Sequence, residues 1–242
     1  MKNGFNTWSA LVLAVGIALA GWSAGRGFVQ ARAADRFVTV KGVSEREARA
    51  DIALWPLRFV STDDDLGKAQ AKIRQSHAKV LAFLQRHGLD PAAAEVHKLE
   101  VTDVLANPYR SGSTDSRYII SQTLMVRSRE PDTVVRASQA VGELVDAGVV
   151  LSQGDGMNSG PTFLFTQLND LKPAMIAEAT AEARRAAEQF ARDSGSRIGS
   201  IRRANQGVFE ILARDRTPGV SEDSQPAKTV RVVATVEYYL KD

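Results

Sequence analysis

A long uncharged run near the amino terminus constrains this chain more than any other feature. No charged residue lies between Lys2 and Arg26, and the stretch from Trp8 to Ala24 is almost entirely apolar. An α-helix rises about 1.5 Å per residue, so roughly 20 such residues span a hydrocarbon core of about 30 Å. The run therefore predicts either a transmembrane helix or a signal peptide.

The residues after this run favour a retained anchor over a cleaved signal. The best small-residue cleavage site, Ala31-Arg32-Ala33, lies well beyond Trp22 and follows Arg26, whereas cleavage sites lie close behind the apolar core of a signal peptide. Positive side chains occur on both sides of the run, so their distribution does not fix its orientation. We adopt the topology of a signal anchor with the large domain exported. A cleaved signal and a soluble periplasmic protein are the alternative.

The chain accordingly divides into four parts. We predict a short cytoplasmic tail (1–5), a transmembrane signal anchor (6–25), a tether (26–35) and an exported folded region (36–242). The exported region, about 207 residues long, is large enough for a substantial core in one domain or in two closely associated halves.

Composition excludes several classes of function. The chain contains no cysteine, which excludes disulfides, thiolate catalysis and cysteine-ligated zinc or iron–sulfur sites. Its net charge is only +3, and basic residues are interspersed with acidic ones. No continuous phosphate-binding stripe results, so we predict no nucleic-acid partner.

The first part of the exported region predicts two strands followed by a long helix. Alternating apolar residues predict strands at 36–40 and 52–59, which we expect to pair as a hairpin across a turn at 42–47. Pro56 lacks a backbone donor, so it belongs at an edge or a bulge. The polar residues 61–65 are typical of a helix cap, and apolar residues at helical spacing follow as far as Gly88.

The same order of elements then recurs. Further strands are predicted at 95–105, 118–127, 162–168, 198–213 and 229–240, a shorter helix at 131–147, a second long helix at 170–194, and a loop at 214–228. Strand–long helix–strand–strand therefore occurs twice, with the shorter helix joining the two units. We predict an α+β fold in which helices pack on antiparallel-rich sheets.

One motif suggests catalysis, but its context argues against it. Ser76 and Lys79 fit the S-x-x-K pattern of penicillin-recognising enzymes, and Lys228-Thr229-Val230 loosely resembles their K-T-G strand without its glycine. The serine lies inside a long helix rather than at its start, and the S-x-N element is missing. We therefore predict no enzymatic activity, no catalytic residues and no cofactor; a hydrolase using Ser76 and Lys79 is the competing hypothesis.

The three histidines do not predict a metal site. His77, His87 and His97 are spaced ten residues apart, which does not place them on one helix face, and no paired metal-ligand spacing is present. His77 falls in line with the apolar positions of its helix, so we expect a partly buried, hydrogen-bonded side chain.

Several strings, in order along the exported region, resemble the SIMPL-domain family (DUF541). Val40-Lys41-Gly42 and Ala50-Asp51-Ile52-Ala53 resemble the family's opening V-x-G and later D-x-A, and the segment 118–127 resembles its central strand. The string 182–188 (EARRAAE), followed by Gly195, Ile198-Gly199 and Ile201, resembles the family's D-A-R-x-K-A-E helix and the turn behind it. Three positions depart from the family pattern: Ala50 in place of Pro, Glu182 in place of Asp, and Ala186 in place of Lys.

The resemblance implies a SIMPL-like fold and a bacterial envelope protein without an agreed enzymatic activity. Some relatives form ring-like oligomers and are linked to stress tolerance. We therefore expect a single-pass inner-membrane protein with its domain in the periplasm, which forms a homo-oligomer and contributes to envelope or oxidative stress tolerance. The alternative is a periplasmic adaptor that binds another protein or a cell-wall component through loops 107–117 or 214–228.

Overall fold

The computed structural model describes residues 7–34, 36–106, 116–152, 160–215, 217–218 and 220–241. The chain divides into two compact units. Unit 1 consists of Met1–Ser44, Ala174–Val208 and Val232–Asp242, and unit 2 of Glu45–Pro173 and Phe209–Arg231. The fold is α+β with antiparallel pairing in both sheets, as the sequence predicted.

Apart from three short 3₁₀ turns, the described parts of the chain contain fourteen helices and strands. In order they are α1 (Thr7–Ala34), β1 (Phe37–Arg49), β2 (Ile52–Asp63), α2 (Leu66–Arg86), β3 (Ala94–Asp103), β4 (Tyr118–Ser128), α3 (Pro131–Gln139), α4 (Gly142–Asp146), β5 (Val150–Leu151), β6 (Thr162–Leu164), α5 (Leu168–Asp193), β7 (Arg197–Gln206), β8 (Glu210–Ala213) and β9 (Ala227–Lys241).

Helix α1 begins within the predicted anchor and continues through the residues assigned to the tether. Its stretch Ala10–Phe28 is long and apolar enough to cross a membrane. Large side chains such as Trp8 and Trp22 are exposed, and the Arg26 guanidinium lies 4.6 Å from the centre of the Trp22 ring. The length and composition of this helix fit a signal anchor and a signal peptide equally.

Unit 2 is built on a five-stranded sheet. Its strand order is β3-β4-β2-β5, with β6 also paired to β2. One face packs against α2 through a core that includes Trp55, Phe59 and Leu124, and the Trp55 and Phe83 rings meet edge to face with centroids 6.4 Å apart. The Asp65 carboxylate caps α2 by accepting the backbone N–H of Lys68 at 2.8 Å, which confirms the predicted cap.

Strand pairing differs from the predicted hairpin. Strand β1 pairs with β9, whereas β2 pairs with β4. The predicted turn at 42–47 is absent, because β1 continues through those residues to Arg49. Pro56 pairs with Met125 on one side and, on the other side of β2, falls between the residues paired to β6 and those paired to β5. A proline is tolerated there because that side of Pro56 requires no ladder donor.

Two other predicted elements are divided. The shorter helix is interrupted between α3 and α4, and the predicted strand 198–213 becomes β7 and β8. The second break lies at Gly207, where a Cβ atom would approach the carbonyl oxygen of Val233 to 2.6 Å. Only glycine lets the backbones come this close.

Unit 1 depends on an equally close contact between β1 and α5. A Cβ atom on Gly42 would lie closer than 3.0 Å to the backbone oxygen of Ala179 and the backbone nitrogen of Ala183. Ala183 and Ala187 are fully buried, and they pack with Val38 and Val236. Beside this contact, the buried Ser44 hydroxyl donates a hydrogen bond of 2.8 Å to the Glu178 carboxylate. Glycine and alanine together allow the helix to lie directly on the strand.

In unit 2, Asp51 holds the segment between β6 and α5. Its carboxylate accepts the Thr166 backbone N–H at 2.7 Å and the Thr166 hydroxyl at 2.5 Å. Burial raises the pKa of Asp51, but the two hydrogen bonds from Thr166 outweigh it, so the pKa lies below its ordinary value. The carboxylate therefore stabilises this connection in its ionised form.

We predict that Gly42→Ala strongly destabilises the protein. The added methyl group forces strand and helix apart, and overpacking of this kind costs about 3 kcal/mol. Urea unfolding, followed by circular dichroism, measures the effect. Gly142→Ala is the control, because a Cβ atom there meets nothing within 4 Å. Equal unfolding midpoints for the two variants would show that the contact is not close in solution.

A second prediction concerns Asp51→Asn, which removes the charge that Thr166 stabilises. Because the folded pKa is lowered, the stabilisation is present above the unfolded pKa of about 3.9 and is lost as the pH falls through the folded value. We expect a loss of about 1 kcal/mol at pH 7, and a difference from the parent chain that shrinks below about pH 4.

The matched control is Glu95→Gln, which removes one negative charge from an exposed side chain. It should change the unfolding free energy by less than about 0.5 kcal/mol. A difference between Asp51→Asn and the parent chain that stays constant on acidification would contradict the assigned role of the carboxylate.

Candidate functional site

Packing and hydrogen bonding account for both residues of the S-x-x-K motif. Ser76 is buried on the face of α2 that packs against the sheet. The Lys79 ammonium group donates a hydrogen bond of 2.7 Å to the carbonyl oxygen of Ala147, just after α4. Lys79 therefore ties α2 to the end of α4, and this contact offers a structural reason for a lysine at that position.

Lys228, in the third part of the suggested catalytic motif, is fully buried. Its ammonium group lies 2.5 Å from the Glu222 carboxylate and 2.5 Å from the Glu222 carbonyl oxygen. A buried cation needs such partners, because desolvation without them is costly. The pair fixes the loop before β9, and Gln225 holds the same loop by bonding to the backbone of Asp215 at 3.2 and 2.9 Å.

The histidines occupy separate environments. His77 is half-buried and lies 3.0 Å from the Gln122 amide, which confirms the predicted hydrogen-bonded helix residue. The His87 ring lies 4.5 Å from the Phe83 ring at a tilt of 47°, and its Nε2 lies 3.2 Å from the Glu143 carboxylate, whereas His97 is exposed on β3. Within the described part of the chain, no three His, Asp or Glu side chains are grouped so that they could hold a metal ion.

The string 182–188 also has a structural explanation. Its alanines Ala183 and Ala187 form the buried face of α5. Its charged residues lie on the exposed face, where Arg184 pairs with Glu188 at 3.0 Å and Arg185 pairs with Glu182. Such pairs at helical spacing support the helix by a few tenths of a kcal/mol each. Glu182 and Ala186, the two residues of this string that differ from the family pattern, therefore lie in a helix that packs on the sheet through its alanine face.

Loops proposed for an adaptor role are only partly described. Residues 107–115 of the first loop, and residues 216 and 219 of the second, lie outside the described residues. Tyr238, near the carboxyl end of the chain, is buried in unit 1.

An open surface instead lies at one edge of the unit 2 sheet. Strand β3 is the first in the order β3-β4-β2-β5, and it pairs with β4. Val96, Leu99 and Val101 are directly opposite Leu124, Gln122 and Ile120. Residues directly opposite each other share a face of the sheet. These three apolar side chains of β3 therefore lie on the same face as the buried core.

The core nevertheless ends before it reaches them. Leu124, Gln122 and Ile120 are at most 7% exposed, whereas Val96, Leu99 and Val101 are 53%, 57% and 54% exposed. Helix α2 packs over β2 and β4, so its cover stops one strand short of the edge. We call β3 and these three side chains the β3 edge.

Charged residues cover the opposite face of this strand. Lys98 lies 2.6 Å from Glu100, which is also 3.3 Å from Arg58. The hydrogen bond from Lys98 lowers the pKa of Glu100, and the charges of Lys98 and Arg58 lower it further. The strand therefore has one apolar face and one face that carries the positive charge of Lys98 and the negative charge of Glu100.

Unit 1 also has an edge strand whose apolar side chains are left uncovered. Strand β7 lies at one end of the order β1-β9-β7. Between β7 and α5 is an open groove of about 580 Å³, lined by residues that include Ala181, Ile198, Ile201 and Tyr238. Ile201 is 52% exposed. In each unit, the strand that follows the long helix is thus an edge strand with apolar side chains left uncovered.

Comparisons with known proteins place the chain in a family without giving it an activity. A search of curated protein sequences found no match. Among solved structures, the chain is similar to the regulatory subunit of aspartate kinase from Thermus flavus, with 16% identity over 82% of this chain and 89% of that chain. The TM-score is only 0.20, so this likeness supports no transfer of fold or function.

The SIMPL family model, described as a protein of unknown function (DUF541), matches residues 38–238. This span contains each of the strings on which the resemblance was based, from Val40-Lys41-Gly42 to Ile201. The chain therefore belongs to the SIMPL family.

Proposed function

We propose that this chain is a membrane-anchored, periplasm-facing SIMPL protein that assembles with copies of itself and has no enzymatic activity. The observation that carries the proposal is the β3 edge, where three apolar side chains continue the core face beyond its helix. Exposed apolar surface on an edge strand is a liability that natural proteins usually cover. Self-association covers it without requiring a second gene product.

Anchoring is supported by α1. The 19 residues Ala10–Phe28 would span about 28 Å as a helix, close to the thickness of a hydrocarbon core. Trp8 and Trp22 lie toward the two ends of the apolar run, where indole rings favour the headgroup region. The periplasmic orientation and the contribution to envelope or oxidative stress tolerance rest on the family resemblance.

The absence of an enzymatic activity is supported by the surroundings of the suggested nucleophile. Ser76 faces the core, and Lys79 is bound to the Ala147 carbonyl oxygen. A hydrolase of the S-x-x-K type needs its lysine to activate the serine. Covalent labelling of Ser76 by an acylating β-lactam would contradict this part of the proposal.

The alternative function is a periplasmic adaptor. The described part of the loop before β9 supports it, because the Lys228–Glu222 pair and the bonds from Gln225 to Asp215 hold its backbone in place. An adaptor would exist as a monomer or dimer that binds one partner specifically, whereas the leading proposal requires assembly without a partner.

We predict that a fragment spanning Arg36–Asp242 assembles into a discrete oligomer of several subunits. Light scattering after size exclusion measures its absolute mass. Leu99→Asp places a charge on the β3 edge and should reduce the mass, whereas Val145→Asp, at a residue that is 58% exposed on α4, should leave it unchanged. A monomeric parent fragment would contradict self-association and favour the adaptor.

A further inference from the structure

We infer that β3 pairs with β3 of a second copy, antiparallel and centred on Leu99, to join two sheets into one. This inference rests on the proposed self-association and specifies its contact. Strand β3 pairs with β4 along one side. Its opposite side lies at the sheet edge, where N–H and C=O groups can form a ladder with another strand.

The charges on β3 select the register. In an antiparallel pair related by a two-fold axis, residues at equal distances from the centre lie opposite each other. Centring the pair on Leu99 places Lys98 opposite Glu100 of the second copy, and this ion pair occurs twice. Centring it on Lys98 places two lysines opposite each other, and centring it on Glu100 places two glutamates opposite each other. Like charges directly opposite are destabilising.

The same register gathers the apolar side chains. Leu99 lies opposite Leu99 of the second copy, and Val101 of each chain is diagonal to it, within reach of a side chain on the neighbouring strand. These residues are 57% and 54% exposed before pairing. The pair would therefore bury a four-residue apolar cluster on one face and form two ion pairs on the other.

A β-bulge limits the length of the contact. The pairing of β3 with β4 shifts between Val96 and Lys98, which leaves His97 as the extra residue. A bulge bends its strand and interrupts regular pairing. The regular contact is therefore centred on Lys98–Glu100 and provides one two-fold interface. The groove beside β7 is a separate surface, available for a further contact in a larger assembly.

The test uses the full chain in the membrane of a bacterial host, and it benefits from the absence of native cysteine. Leu99→Cys places two thiols opposite each other, within reach of a disulfide or a short bis-maleimide linker. Val145→Cys is the matched control, because Val145 is exposed to the same degree at 58%. We expect crosslinked dimer from Leu99→Cys and only background from Val145→Cys.

Charge reversal then tests the register. In the Leu99→Cys background, Lys98→Glu or Glu100→Lys alone should lower the crosslinked fraction by about tenfold, because both ion pairs become repulsive. Coexpression of the two single variants should restore crosslinking between them, and so should the double variant Lys98→Glu/Glu100→Lys. Restoration also shows that each single variant is folded.

The two proposals fail in different ways. An oligomeric Arg36–Asp242 fragment whose Leu99→Cys full chain gives no crosslink would overturn the β3 pairing and leave self-association intact. Crosslinking that is insensitive to both charge reversals would overturn the register centred on Leu99. A monomeric fragment together with an uncrosslinked full chain would overturn self-association itself.

Discussion

One helix is about as wide as two strands, and this ratio determines which surfaces the protein leaves open. An α-helix with its side chains is about 10–12 Å across, and strands are about 4.8 Å apart. In unit 2, α2 therefore covers β2 and β4 but leaves Val96, Leu99 and Val101 of β3 exposed. In unit 1, the edge strand β7 borders an open groove beside α5. A sheet needs a second layer over its whole apolar face, and α2 does not supply it over β3.

The strings that identify the family account for how the helices pack. Gly42 lies against Ala179 and Ala183, so the V-x-G string and the alanine-rich helix string meet at one contact. Asp51 binds Thr166, and Ala53 is fully buried. Each of these residues has a packing or hydrogen-bonding role in the fold. The family strings therefore describe the architecture, and none of these residues assigns an activity.

Local features of the fold could be predicted from the sequence, whereas pairing could not. Periodicity and caps predicted α2 and α5, because these signals lie within one element. The hairpin was wrong because β1 pairs with β9 from the far end of the chain, and no local pattern encodes that partner. Gly42 was assigned to a turn, although the structure uses it for close approach to α5. The β3 edge was missed for the same reason: Val96 and Leu99 look like core residues until the strand order places them at the edge.

Hydrogen exchange of the β3 amides tests most directly whether this edge is covered by another chain. The fragment Arg36–Asp242 is labelled at high concentration and after stepwise dilution, and peptides covering β3 and β4 are compared. If β3 pairs with a second copy, its amides are protected at high concentration and lose protection on dilution. The amides of β4 stay protected, because β4 pairs with both β2 and β3 within one chain. Rapid exchange of the outward-facing β3 amides at every concentration, in a fragment that is oligomeric, would contradict an assembly built on this edge.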